Sequence, residues 1–334
     1  MSLNAPGADG TLSLFAENAR IIRKQFRWQN ALTSRLAALL YAQQGRIADP
    51  EAIRQCQELM KQNTGLFSSF RGSMALSLAA LLSLSPDPQG LFGQTLKVYE
   101  LLKSTRLRSS DYLAVAAYQI AAQTGPNGPA QAVSRTRAFY DRMKARHFFL
   151  TGQDDYIFAA MLGLSDLDVD SGADRIERLH DRLKGEFRGR NSVQALAQVL
   201  VLGGSDDQTA GQVLALRDAL RARKIKLDRP DSLPALGILA LLPVAADVVA
   251  AEIDEARTFL RTQKGFGRFS VGTPELLLYA TATVAGRSAQ SVRDGIVTAT
   301  LSTSITNIII AQQTALIAST AAAGSAGAAT AAST

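Results

Sequence analysis

Hydrophobic and polar positions recur along the chain in a composite pattern with a period near 40 residues. A stretch with apolar residues at helical spacing ends in a base, a short polar connection follows, and a second stretch is apolar nearly all round. In one first stretch Ile176, Leu179, Leu183 and Phe187 fall on one face, while Arg175, Glu177, Arg178 and Asp181 take the other. Such a helix is half exposed. The second stretches, Met74 to Leu84 and Ser232 to Leu242 among them, lack a polar face, which predicts burial on more than one side. The terminal bases Lys61, Lys103, Lys144, Lys184, Arg221 and Arg261 are 42, 41, 40, 37 and 40 residues apart, and IIRKQFRWQNALTSRLAALLYAQ is a looser unit ahead of them. No run of period-two alternation is sustained. The pattern predicts an all-α protein of about seven tandem helix pairs, stacked as an α-solenoid or closed as an α/α toroid.

The segment RMKARHFFLTGQDDYIFAA carries one whole transition. Lys144 and Arg146 stand where a first helix ends and its dipole favours cations, Thr151 and Gly152 make the turn, and Asp154 and Asp155 stand where the next helix exposes its N–H groups. Pro and Gly punctuation in SPDPQG, TGPNGP and LGGSDD closes one pair and starts the next. No linker interrupts the array, so residues 1–320 are expected to form a single helical-repeat domain. Residues 321–334 contain only Ala, Ser, Thr and Gly, with nothing large to bury, and are expected to be a disordered tail. Ile296 to Ser319 is interrupted by Asn307, Gln312 and Gln313, which predicts a packed helix rather than a membrane span.

The FLTGQDDYIFAAML segment, the order of the helix pairs and the Gln-Gln followed by an Ala-rich tail resemble an uncharacterised bacterial family, domain of unknown function four thousand and three. The likeness spans nearly the whole chain, although SVQALAQVL in the next unit lacks the acid-aromatic pair. The resemblance implies a bacterial, intracellular helical protein and assigns no activity to any residue.

Composition narrows the chemistry. With 334 residues, 47% of them hydrophobic, the chain can bury a sizeable core. A single cysteine, Cys56, excludes an internal disulfide, and two histidines leave little material for a histidine-rich metal site. The N-terminal MSLNAPGADGTLSLFAEN has neither a basic n-region nor an apolar run of signal-peptide length, so the expected location is cytoplasmic. A net charge of +7 favours acidic partners, nucleic acid among them.

Individual motifs are weighed against structural readings. DLDVDSGADRIE puts Asp166, Asp168, Asp170, Asp174 and Glu177 at positions 1, 3, 5, 9 and 12 of a calcium-loop pattern, but position 6 is Ser171 and Gly172 follows one residue late. We therefore assign no metal and no cofactor, and expect this loop to cap a helix beginning near Ala173. The competing reading makes Asp166, Asp168, Asp170 and Glu177 ligands. GFGRFSVG at 265–272 has no preceding strand and no Gly-Lys-Ser or Gly-Lys-Thr, and is expected to be a connection between helices. His147 and His180 have no neighbouring nucleophile, and Cys56 shares a face with Ile53, Leu59 and Met60, where a buried thiol is expected. Asp154 and Asp155 are expected to serve the helix start.

The collective signal is charge. The six connections 61–73, 103–111, 144–155, 184–192, 221–231 and 261–275 hold 18 of the 36 Lys and Arg against 7 acids. Dipole compensation needs about one base per helix end, and most of these connections have three or more. In a stacked array they project from one edge. The anion-binding candidates are Arg106, Arg108, Arg146, Arg188, Arg190, Arg223, Lys224, Lys226, Lys264 and Arg268. The leading expectation is a non-enzymatic scaffold that binds a protein or an anionic macromolecule through this edge. The alternative is an enzyme with its site at the mouth of a toroid, built from acids such as Asp154, Asp155 and Asp231.

Overall fold

A computed structural model describes residues 8–125, 128–146, 150–204 and 209–293. Among them are fourteen α-helices, two short 3-10 turns and no strand, so the protein is all-α. The helices are α1 Ala8–Gln25, α2 Ala31–Gln43, α3 Pro50–Asn63, α4 Ala75–Ser83, α5 Pro88–Ser104, α6 Asp111–Thr124 and α7 Pro129–Arg146. They continue as α8 Tyr156–Leu164, α9 Val169–Leu183, α10 Arg190–Leu202, α11 Thr209–Ala222, α12 Leu233–Ala240, α13 Ala246–Thr262 and α14 Thr273–Arg293. The stretch 296–319, the tail 321–334 and His147 lie outside the described residues.

Local chemistry starts the helices where the sequence implies. Asp49 accepts from the Glu51 and Ala52 N–H groups and Asp87 from Gly90 N, each followed by a proline already fixed at helical φ. Ser110 and Asp168 cap α6 and α9 in the same way. Asp168 accepts from Ser171 N, so α9 begins at Val169, a turn earlier than the expected start near Ala173.

Two kinds of helix result. Odd-numbered helices bury one stripe, as α3 buries Ile53, Cys56 and Met60, while α4 buries every residue from Leu76 to Ser83 and α12 every residue from Leu233 to Ala240. Each odd-numbered helix packs on the even-numbered helix that follows it. Where α7 meets α8 the backbones approach closely, because a Cβ on Gly163 would stand 2.7 Å from Thr136 N and 2.9 Å from Ala132 O. Neighbouring pairs are tied together as well, for example by Tyr41 Oη and Ser83 Oγ, 2.7 Å apart between α2 and α4.

The ends of the described chain also meet. α1 packs on α13 and α14, and α2 packs on α14. Phe15 of α1 stacks edge-on against Phe266 at 5.2 Å and lies 5.1 Å from Tyr279 of α14. Arg35 Nε of α2 donates to Glu275 Oε1 at 2.7 Å, and Tyr279 Oη donates to the same oxygen at 2.6 Å. Burial pulls the Arg35 guanidinium down, but Tyr279 and the Glu275 carboxylate outweigh it and hold the group above its ordinary value.

Candidate anion-binding edge

Four of the connections leading from odd to even helices share one construction, a buried apolar anchor flanked by exposed bases. In 221–231 Ile225 and Leu227 are buried, whereas Arg223, Lys224, Lys226 and Arg229 are exposed. Leu107 is buried between exposed Arg106 and Arg108, and buried Phe187 precedes exposed Arg188 and Arg190. Phe266 and Val271 are buried on either side of exposed Arg268. The anchor fixes the loop and leaves the charged heads in water.

Successive connections touch. Ser73 N and Oγ donate to Asp111 Oδ2 at 2.9 and 2.5 Å. Arg108 N donates to Tyr156 Oη at 3.1 Å, and Asn191 Nδ2 donates to Asp154 Oδ2 at 3.1 Å. Gly189, at φ 84°, allows a close approach to Pro230, whose ring would stand 3.1 Å from a Cβ there. The connections that carry the candidate bases from Arg106 to Lys226 therefore contact one another in series.

Pairing divides the bases into two groups. Those that end helices are engaged: Lys61 with Glu58, Lys103 with Glu100, Lys184 with Asp181, and Arg221 with Asp228. Arg71 and Arg261 donate to backbone carbonyls, the latter to Phe266 O and Val271 O at 2.9 and 2.8 Å. Arg146 belongs with this group, because it pairs with Asp174 and donates to Ala173 O. Arg106, Arg108, Arg188, Arg190, Arg223, Lys224, Lys226, Lys264 and Arg268 are exposed and form no ion pair with a described residue. The acids of these connections are largely spent: Asp111, Asp154, Asp155, Glu186, Asp228 and Glu275 all have partners. Helix-dipole compensation explains the first group of bases and leaves the second without a structural role.

Sequence reasoning missed the α1–α2 end of the edge. A cleft of about 550 Å³ opens there between α1, α2 and the α13–α14 connection. Arg20, Arg23, Lys24, Arg35 and Lys264 line it, with Phe266, Phe269 and no acid. The signal was present in RIIRKQFRW, but that unit matches the repeat too loosely for its connection to have been counted.

The family described as protein of unknown function (DUF4003) matches residues 19–314 of this chain. The protein belongs to that family. Nothing among curated proteins or solved structures matches it.

Of the acids Asp154, Asp155 and Asp231, the first two are bound into the framework of this DUF4003 protein. Asp155 is buried, accepts from Gly152 N at 2.9 Å and from Gln198 Nε2 at 3.0 Å, and is pushed up to about 7 by burial and by the Asp154 carboxylate. Asp231 is exposed in a 3-10 turn on another connection. Folding thus favours the neutral Asp155 carboxyl. From the ordinary value of 3.8 up to about 7 the unfolded chain ionises this group and the folded chain does not. Its contribution is therefore fully present below 3.8, falls as pH rises to about 7, and is constant above that. Asp155→Asn is expected to flatten the loss, on the order of 4 kcal/mol, in urea unfolding followed from pH 4 to pH 8. An unchanged pH profile would show that Asp155 is ionised in the fold.

The acidic loop residues are dispersed. Asp168 caps α9, Asp170 pairs with Arg142 at 2.5 Å, Asp174 pairs with Arg146, and Asp166 is exposed in the loop before α9. Glu177 lies beyond them on α9, where one ligand atom each from Glu177, buried His180 and Asp181 falls within 4.8 Å of the others, although all three already have partners. Sub-millimolar calcium is expected to leave the melting temperature unchanged, since binding would have to break two ion pairs and a cap. A rise of several degrees that is lost in Asp168→Ala would reverse that assignment. Cys56 is buried, and burial pushes its thiol up to about 11, away from nucleophilic chemistry. The 265–272 segment is the α13–α14 connection, pinned by Arg261. Among the described residues no helix is long and apolar enough to cross a membrane.

Proposed function

We propose that the helix pairs form a seven-unit array closed into an α/α toroid, and that the protein is a non-enzymatic scaffold whose odd-to-even connections engage an anionic macromolecule. Closure is supported by the contacts of α1 and α2 with α13 and α14, and by the Arg35–Glu275 bridge between segments 240 residues apart. The observation that carries the function is that the loop bases form no ion pair with a described residue, while the helix-end bases Lys61, Lys103, Lys184 and Arg221 beside them are paired. Cations free on one edge sum into a field that attracts polyanions without reading sequence. The competing enzymatic reading needs several free acids at a toroid mouth, whereas Asp154 and Asp155 are engaged in hydrogen bonds to Asn191, Gly152 and Gln198, and only Asp231 of the three is exposed without a partner among the described residues. Heparin and duplex DNA titrations at low salt test the proposal directly. Absence of measurable binding to either polyanion would remove it.

A further inference from the structure

The described residues leave eight large hydrophobic side chains exposed, and the four most exposed sit on three connections of the proposed edge. Trp28 is 90% exposed in the α1–α2 connection, Leu66 79% and Phe67 103% in the α3–α4 connection, and Phe269 108% in the α13–α14 connection. Ile47 follows at 61% and the remaining three at 44% or less. The α1–α2 and α13–α14 connections adjoin, and the α3–α4 connection leaves its helix on the same side. Phe269 and Ala31 line the same cleft, while α3 runs beside α1 in the same direction, because Ala48 N donates to Asn18 Oδ1 and, further along both segments, Arg54 donates to Gln25 Oε1. Bases accompany the two tips at the cleft: Arg27 lies 5.5 Å from the Trp28 ring, and Arg23, Lys24 and Lys264 stand around the cleft with no described ion-pair partner.

Building on the anionic-partner reading above, we propose that this end of the edge docks on an anionic bilayer surface. The cleft receives a lipid phosphate, and Trp28, Leu66, Phe67 and Phe269 enter the headgroup region. Exposed apolar tips beside a basic cleft match both layers of such a surface, the acyl boundary and the negative charge above it, with each base near the surface contributing on the order of fivefold in partitioning. The tips fit nucleic acid less well. Base stacking uses planar faces arranged along a groove. Leu66 offers no such face, and Phe67 and Phe269 extend fully into solvent. A second copy of the chain would bring together Arg23, Lys24 and Lys264 of two clefts, none of which has a described ion-pair partner.

The chain has one tryptophan, so the emission of Trp28 reports this surface alone. Phosphatidylcholine vesicles containing phosphatidylglycerol are expected to shift that emission to the blue, with quenching by brominated acyl chains. Pure phosphatidylcholine vesicles are expected to do neither. Phe67→Ser with Phe269→Ser should weaken vesicle partitioning on the order of tenfold or more and leave heparin binding unchanged, because it removes apolar area and no charge. Arg23→Glu, Lys24→Glu and Lys264→Glu together should abolish partitioning. Heparin binding without any vesicle response overturns the bilayer proposal and leaves the anionic-edge reading standing, whereas failure of both removes both. An equal spectral shift with glycerol phosphate alone, or partitioning undiminished in the Phe67 and Phe269 variant, also overturns it.

Discussion

Changing Arg223, Lys224 and Lys226 together to glutamate is expected to flatten the salt dependence of polyanion binding and leave the helix content intact. If the wild-type edge neutralises ~6 phosphates, affinity for duplex DNA falls roughly a thousandfold between 50 and 200 mM salt, with a log–log slope near −0.9 per phosphate. Removing three of those contacts lowers the slope by about 3. The fold tolerates the change because the loop is held by Ile225 and Leu227, both about 1% exposed, and not by the charged heads between them. Exposed charges of this kind contribute little to stability. A charge-matched control changes Lys61, Lys103 and Lys184 to Glu, since these bases already pair with acids three residues earlier on their own helices. Its slope should move by less than about 1. Circular dichroism and fluorescence anisotropy across a salt series read both quantities. A triple variant that binds as the wild type does would move the contact away from this connection, and a control that falls as far as the triple variant would show that net charge, not the unpaired loop bases, sets affinity.

The sequence discloses the helix layers and the basic connections for the same reason: both are local. An apolar stripe at Ile53, Cys56 and Met60 and an unbroken apolar stretch at Leu76 to Leu82 are set by spacing within one helix, and the structure buries each as that spacing requires. Asp49-Pro50 and Asp87-Pro88 are likewise local starts. The distinction between Arg146 and Arg188 is not local, because Asp174, which takes the charge of Arg146, lies 28 residues away across a helix pair. Exposure of Trp28, Phe67 and Phe269 runs against the general tendency of aromatic residues to be buried, so no propensity identifies them as surface features. The contact between Arg35 and Glu275 is the extreme case. Nothing in QNALTSRLAALL or VGTPELLLYA refers to the other, and only the accumulated geometry of the intervening helices brings them together.

That same bridge carries the last expectation: Glu275→Ala should be among the most destabilising single changes outside the apolar core. Arg35 and Glu275 side chains are only 14% and 13% exposed, and the carboxylate also accepts from fully buried Tyr279. Removing it leaves a guanidinium and a phenol without their partner in a desolvated seam, a loss of about 3–5 kcal/mol. An exposed pair behaves otherwise: Glu58→Ala, which frees Lys61 at the surface, should cost under about 1 kcal/mol. The double change Arg35→Met and Glu275→Leu should recover most of the lost stability, because apolar side chains of similar volume need no compensating charge. Urea unfolding of the wild type, Arg35→Met, Glu275→Leu and the double variant completes the cycle. A Glu275→Ala loss no larger than that of Glu58→Ala would mean that the first and last helix pairs are not locked together in solution, and the closed toroid would give way to an open array. Recovery in the double variant would instead assign the stability to packing across the seam, with the ion pair fixing which helices meet there.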